Sequence, residues 1–135
     1  MTPPNFLTSS LAVALGGGFG AWLRYLASRA TLATIGPVAA SVFPWATLLV
    51  NLSGSFAMGL LAGWLARHGT GGEGWRLLLG VGVLGGFTTF SAFSLEIVNL
   101  AQRGSLALAA GYAVVSVIAG VAGLILGLAL MRAVA

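Results

Sequence analysis

Cysteine, lysine and aspartate are missing from this chain of 135 residues, and it holds only two acidic side chains, Glu73 and Glu96. Without cysteine there can be no disulfide, no thiolate metal site and no cysteine nucleophile. Six arginines and two glutamates bring the charged fraction to 6%, where a soluble domain carries about a quarter. So few charges cannot cover a water-facing surface, and the bilayer is the expected solvent. Histidine occurs once. His68 lies in a glycine-rich run with no second histidine or carboxylate at ligand spacing, which leaves it a solvated side chain. An isoelectric point near 11.3 often points to nucleic acid. Here the arginines are scattered singly through apolar sequence and form no basic patch.

What the chain does have is apolar length: 59% of its residues are hydrophobic and the mean hydropathy is +1.04. A membrane helix needs about 20 apolar residues, rising 1.5 Å each across roughly 30 Å. Four stretches meet that need, about Phe6–Leu26, Trp45–Ala66, Trp75–Leu100 and Ser105–Met131. Residues 1–10 hold no Lys or Arg ahead of the apolar run, so that run is expected to be kept rather than cleaved. Pro37 and Pro44 are expected to flank a loop before the second span, and the run from Arg67 to Gly74 a turn after it. Trp22, Trp45, Trp64 and Trp75 fall near span ends, where indoles favour the membrane interface. One four-span domain, residues 1–135, is the expected organisation, with both termini on one side. Orientation follows the bias of Lys and Arg between the two sides. Here Arg67, Arg76 and Arg132 fall on one side and Arg24, Arg29 and Arg103 on the other. Three against three gives no preferred orientation.

The spans are rich in small residues: Gly16-Gly17-Gly18 and Gly20, then Gly54, Gly59 and Gly63, then Gly120, Gly123 and Gly127. Small residues let helix backbones approach closely, which drives association in lipid. The run GGGFG at 16–20 looks like a phosphate-binding loop, but its place inside a span makes packing the better account. With four short helices much of this small-residue surface is left over, and oligomerisation is expected.

Polar residues within the spans carry the functional signal. Asn51 lies about a third of the way into the second span, with Ser55 one turn later on the same face. An intramembrane amide is either a functional group or interhelical glue. Arg24, before Tyr25, reads by itself as a snorkelling interfacial arginine. Glu96 lies inside the end of the third span, and a buried carboxylate needs hydrogen-bond partners. Tyr112 and Ser116, four residues apart on the fourth span, could supply them. No nucleophile with a base, no metal cluster and no phosphate loop after a strand is present, so nothing supports an enzyme.

The segment GGFTTFSAF at 85–93 interrupts the third span. Two glycines and two β-branched threonines weaken a helix. A break at membrane depth frees backbone groups, which is tolerated only inside protein or along an aqueous path. The expectation is two half-helices meeting near the bilayer centre, where ion and substrate sites are built. The phenylalanines fit that purpose, because a ring edge is positive and favours an anion without trapping it.

GGGFGAWLRY (16–25), VNLSGSFAMG (50–59) and GGFTTFSAFSLE (85–96) resemble, in order and spacing, the bacterial CrcB/Fluc fluoride channels. The resemblance covers essentially the whole chain. It implies an all-α membrane protein acting as an antiparallel, dual-topology homodimer with two fluoride pores in the bacterial inner membrane. By that resemblance, Asn51 is the pore-facing amide and Phe90 and Phe93 are the paired pore phenylalanines. Thr89, Ser91, Glu96, Tyr112 and Ser116 line a polar track, and Arg24 sits at the vestibule. The carbonyls of Gly85 and Thr88 from both subunits hold a structural sodium ion. A third hydroxyl of the track would fall at Gly120, where this chain has none. The function implied is passive export of fluoride, which protects a cell that HF has entered and ionised in. The rival is a small dual-topology multidrug transporter, which needs a carboxylate in the first span for proton exchange; the first span has none. A non-transporting assembly protein would leave Asn51 and the Thr/Ser segment unexplained.

Overall fold

A computed structural model of the chain describes residues 5–68 and 72–134. The glycine-rich turn expected after the second span falls on 69–71, outside the described residues, as does the side chain of His68. Among the described residues every regular element is helical, and four helical stretches are long and apolar enough to cross a membrane.

The first, α1, spans Phe6–Val42. Asn5 caps it, its side-chain oxygen accepting from Leu7 N at 2.7 Å and Thr8 N at 3.2 Å, so two of the orphan donors at the helix start are satisfied. Its straight part, residues 6–35, is roughly 45 Å long, enough to cross the hydrocarbon core of a bilayer with length to spare. The expected loop between Pro37 and Pro44 is mostly helix. The chain kinks at Gly36 (φ 79°, ψ 162°), a left-handed conformation that glycine adopts at little cost. Pro37 then restarts the helix at its first position, where the missing N–H costs nothing. Arg103 Nη1 donates to Ser41 O at 3.1 Å and ties this final piece to the turn between the third and fourth spans.

The second helix, α2, covers Trp45–His68. The third span begins as a single turn, α3 (Glu73–Trp75), and widens into a π-helical stretch over Arg76–Leu84. It returns to α-helix at α4 (Gly85–Phe87), and α5 (Phe90–Gln102) follows. Gly80, Gly82, Gly85 and Gly86 carry no Cβ to crowd the widened turns. The fourth span is α6, Leu106–Ala133.

Backbones in close contact hold the spans together. α1 lies along the π-helical stretch and α4, with Gly16 and Gly20 against the backbone of Leu78, Gly82 and Val83, and Gly86 against Gly17 O. α2 lies along α6, with Gly59 against Leu124 O and Gly127 against Phe56 O. A methyl group at any of these glycines would collide with main chain that cannot step aside. Such contact replaces the hydrophobic drive that lipid removes. A small core of Leu48, Phe93, Leu100, Ala109 and Tyr112 sits where α2, α5 and α6 meet. Elsewhere the helices are exposed, as expected of surfaces that face lipid or another chain.

Candidate ion pathway

Thr88 and Thr89 are both extended (φ −78°, ψ 158° and φ −149°, ψ 118°), a conformation that β-branched side chains favour. They separate α4 from α5. The hydrogen bonds around them explain what holds this conformation. Thr88 N still donates to Leu84 O at 3.0 Å, and so does its hydroxyl at 2.8 Å. Thr89 N does not reach back to Gly85 O, its partner in an unbroken helix. It donates instead to Asn51 Oδ1 at 2.8 Å, and Asn51 Nδ2 donates to Thr89 O at 3.0 Å. A donor three residues on is diverted too: Ala92 N goes to Thr89 Oγ1 at 3.2 Å, as an N-cap, rather than to Thr88 O.

Two consequences follow. The carbonyls of Gly85 and Thr88 lose their helical donors to side chains. The Asn51 amide, oriented by the Thr89 N–H, spends one of its two N–H groups on Thr89 O and keeps the other.

Glu96 lies two turns into α5 and is half-buried. Thr47 Oγ1 donates to its Oε1 at 2.6 Å and Tyr112 OH to its Oε2 at 2.7 Å. Both carboxylate oxygens are thus held by hydroxyls from the two flanking helices. Thr47 is the member that the sequence reading missed. It precedes Asn51 by one helical turn, so Thr47, Asn51 and Ser55 form one polar stripe on α2, and that spacing could have found it. Ser116 does not reach Glu96. Its hydroxyl is buried near that of Tyr112, and no hydrogen bond satisfies it.

The rings form a chain: Phe90 to Phe93 with centroids 5.7 Å apart, Phe93 to Tyr112 at 5.2 Å edge-on, and Tyr112 to Phe43 at 5.3 Å edge-on. Phe93 is buried, whereas Phe90 is 78% exposed on the protomer. Ser91 is exposed beside it, with its Oγ 3.3 Å from Thr89 Oγ1. Arg24, half-buried on α1, lines an open groove of about 300 Å³ with Ser28, Thr47 and Thr89. A second groove, about 280 Å³, lies on the other side of Thr89 and is lined by Asn51, Ser55, Thr88 and Phe90. Thr89 is common to both. The structure thus gathers Arg24, Asn51, Thr88, Thr89 and Phe90 around the two extended residues 88 and 89, with Phe93, Glu96 and Tyr112 in the adjoining layer. The one ion pair among the described residues, Arg76 to Glu73 at 2.7 Å, is at the start of that span and outside this site.

Four apolar helical spans, with hydroxyls, an amide and ring edges collected around the extended residues Thr88 and Thr89, define a multi-pass membrane protein. The chain belongs to the CrcB-like family, described also as camphor resistance, whose model matches residues 11–128. It is 62% identical over 129 residues to a Novosphingobium aromaticivorans protein named fluoride-specific ion channel FluC, covering 96% of this chain and all of that one. Proteins of the same name from Erythrobacter litoralis and Sphingopyxis alaskensis are 52% and 50% identical, each over more than nine-tenths of both chains.

Proposed function

We propose that the chain is a fluoride-selective ion channel, the activity for which its relatives are named. The observation that carries this reading is the set of donors at the interruption. The second Asn51 N–H, the Ser91 hydroxyl and the first N–H groups of α5 are all hydrogen-bond donors. None of them is a fixed cation. Fluoride is small and strongly hydrated, so a path for it must replace water with donors, each weak enough to release the ion. Phe90 and Phe93 add ring edges, which attract an anion without binding it permanently. The membrane potential then drives the anion outward, and no energy coupling is needed. For a drug transporter exchanging protons, the first span would have to hold a carboxylate; Phe6–Val42 holds none.

The finer features belong to the same proposal. The interruption lies near the bilayer centre, between two half-helices. Two copies assemble antiparallel in the bacterial inner membrane, where the balanced arginines allow both orientations. The assembly is supported by the exposure of Phe90, Ser91 and Gly85 on one protomer: an exposed hydroxyl and a carbonyl without its helical donor are not stable against lipid. A second copy would cover them. Those same carbonyls, Gly85 O and Thr88 O, fit a structural sodium ion, because hard cations take oxygen ligands and these two are spared from the helix ladder. The ion would pin two interrupted spans together and take no part in the transport itself.

The deciding experiment is fluoride efflux from liposomes containing the purified protein, read with a fluoride electrode and compared with chloride. Efflux no faster than from empty liposomes, or equal loss of chloride, would overturn the proposal.

A further inference from the structure

Most hydroxyls within the spans are spent on their own helix. Ser28, Thr31, Ser53, Thr88 and Ser94 each donate to a carbonyl one turn back. That is the usual fate of serine and threonine in mid-helix. Thr47, Tyr112, Thr89 and Ser91 bond to side chains instead, and two hydroxyls on either side of Gly120 have neither kind of partner. Ser116 Oγ on α6 is fully buried and has no partner. Ser55 Oγ on α2 makes no hydrogen bond either, among the described residues. The buried Ser116 hydroxyl without a partner costs about 1–3 kcal/mol, so something that accepts hydrogen bonds is expected near it; Ser55 is half-buried and opens on a groove.

Their positions are related through Gly120. A Cβ built there would lie 3.5 Å from Ser55 Oγ, so the bare glycine leaves a notch in α6 that faces this hydroxyl. Ser116 is one turn before the notch, on the same face of α6. Ser55 also lines the groove that holds Asn51, Thr89 and Phe90, and Leu124, one turn after Gly120, closes its far side. A strip of donors therefore runs from Ser116 past the notch to Ser55, and on to the spare N–H of Asn51.

We infer that Ser55 is a fluoride-coordinating residue, its hydroxyl reaching into the Gly120 notch to continue on α2 a line of donors that α6 leaves unfinished. The inference rests on the channel reading and adds to it a specificity-determining side chain on a different helix. Fluoride suits the strip because it accepts several short hydrogen bonds at once; chloride, larger and a poorer acceptor, would fill the notch without gaining as much.

The test measures fluoride efflux from liposomes with Ser55→Ala, Ser55→Ala/Gly120→Ser and Ser55→Ala/Gly120→Ala, each checked by size exclusion. Loss of one hydrogen bond to an anion is expected to slow efflux about tenfold in Ser55→Ala. A serine at 120 puts a hydroxyl back into the same notch from the other helix and should restore most of the rate, whereas alanine should not. A Ser55→Ala rate equal to wild type overturns the inference, as does equal rescue by alanine, which would mean packing. Should Ser55→Ala fail to assemble, Ser55→Thr and Ser55→Cys replace it. Threonine keeps the donor and should conduct, and cysteine, a weak donor, should not; equal rates from the two overturn the inference. A wild-type protein that passes no fluoride would instead refute the channel reading itself.

Discussion

The side-chain amide of Asn51 closes two hydrogen bonds on the backbone of Thr89, accepting from its N–H at 2.8 Å and donating to its carbonyl at 3.0 Å. A residue on the second span thereby does for the third what the helix ladder has ceased to do. Asn51→Leu should therefore lower thermal stability, by about 2 kcal/mol or more, because both backbone groups lose their partner. Fluoride efflux should fall severely in the same preparation. A pure packing role predicts lower dimer stability with efflux per dimer intact, so measuring both quantities separates the two roles. Asn51→Asp keeps an acceptor for the Thr89 N–H and should be the more stable variant, yet it should not conduct.

Phe90→Ile and Phe93→Ile should each cut efflux severely while the protein still inserts and dimerises, because the ring edge is lost and apolar bulk is kept. Their stabilities should differ. Phe93 is 8% exposed and packs edge-on against Tyr112, so its replacement should cost about 1–3 kcal/mol. Phe90 is exposed on the protomer and should cost less. Near-normal efflux from both variants would remove the rings from the ion path.

Thr47, Glu96 and Tyr112 form one hydrogen-bonded unit, so their substitutions should not add. Thr47→Val and Tyr112→Phe each leave one Glu96 oxygen without its donor and should slow efflux. Made together with Glu96→Gln, either should cost much less than the sum of the single effects, as groups sharing one network do. Full additivity in such a double-mutant cycle would mean that the three act separately.

Sodium should matter for assembly rather than as cargo. Exhaustive replacement of sodium by a large organic cation should lower efflux and dimer stability together. Unchanged efflux, in a sample whose residual sodium has been measured and found absent, would count against the carbonyl site.

Orientation gives the last prediction. Two lysines added near one terminus, or in a separate variant to the first loop, should fix each variant in one orientation. Each alone should lose efflux, and coexpression should restore it. Normal conduction by either variant alone would exclude the antiparallel dimer.

The four spans were legible because hydropathy over about 20 residues is a strong signal, and the boundaries moved by only a few residues at α2 and α6. α1 was the exception. Pro37 does mark a break, with the chain kinked at Gly36, but helix restarts at once from Pro37 and continues to Val42 where a loop was expected. Of the α1 glycines expected to pack, Gly16, Gly17 and Gly20 do lie against backbone, whereas Gly18 faces open space. The π-helical turns over Arg76–Leu84 left no mark in the sequence, since the same residues would serve an α-helix. Around Glu96 the sequence named Tyr112 and Ser116 as candidates. Only three-dimensional packing decides which hydroxyl arrives, and Thr47 arrived instead of Ser116. A lone threonine in an apolar span ordinarily bonds to its own backbone, which is why it drew no attention.

The contrast between the fourth span and the others bears on how the protein is made. The most apolar window of α6 has a mean hydropathy of 2.6, against 1.4 for α1 and 1.6 for the two middle spans. A ribosome-bound chain emerging at the translocon therefore presents its strongest insertion signal directly after the third span, joined to it by a turn of only a few residues around Gly104. The segment least suited to meet lipid alone, with its hydroxyls and spared carbonyls, is thus the one whose C-terminal neighbour enters most readily. Biogenesis would bring the two in as a hairpin, and the Glu96 carboxylate would meet the Tyr112 hydroxyl across it soon after leaving the translocon.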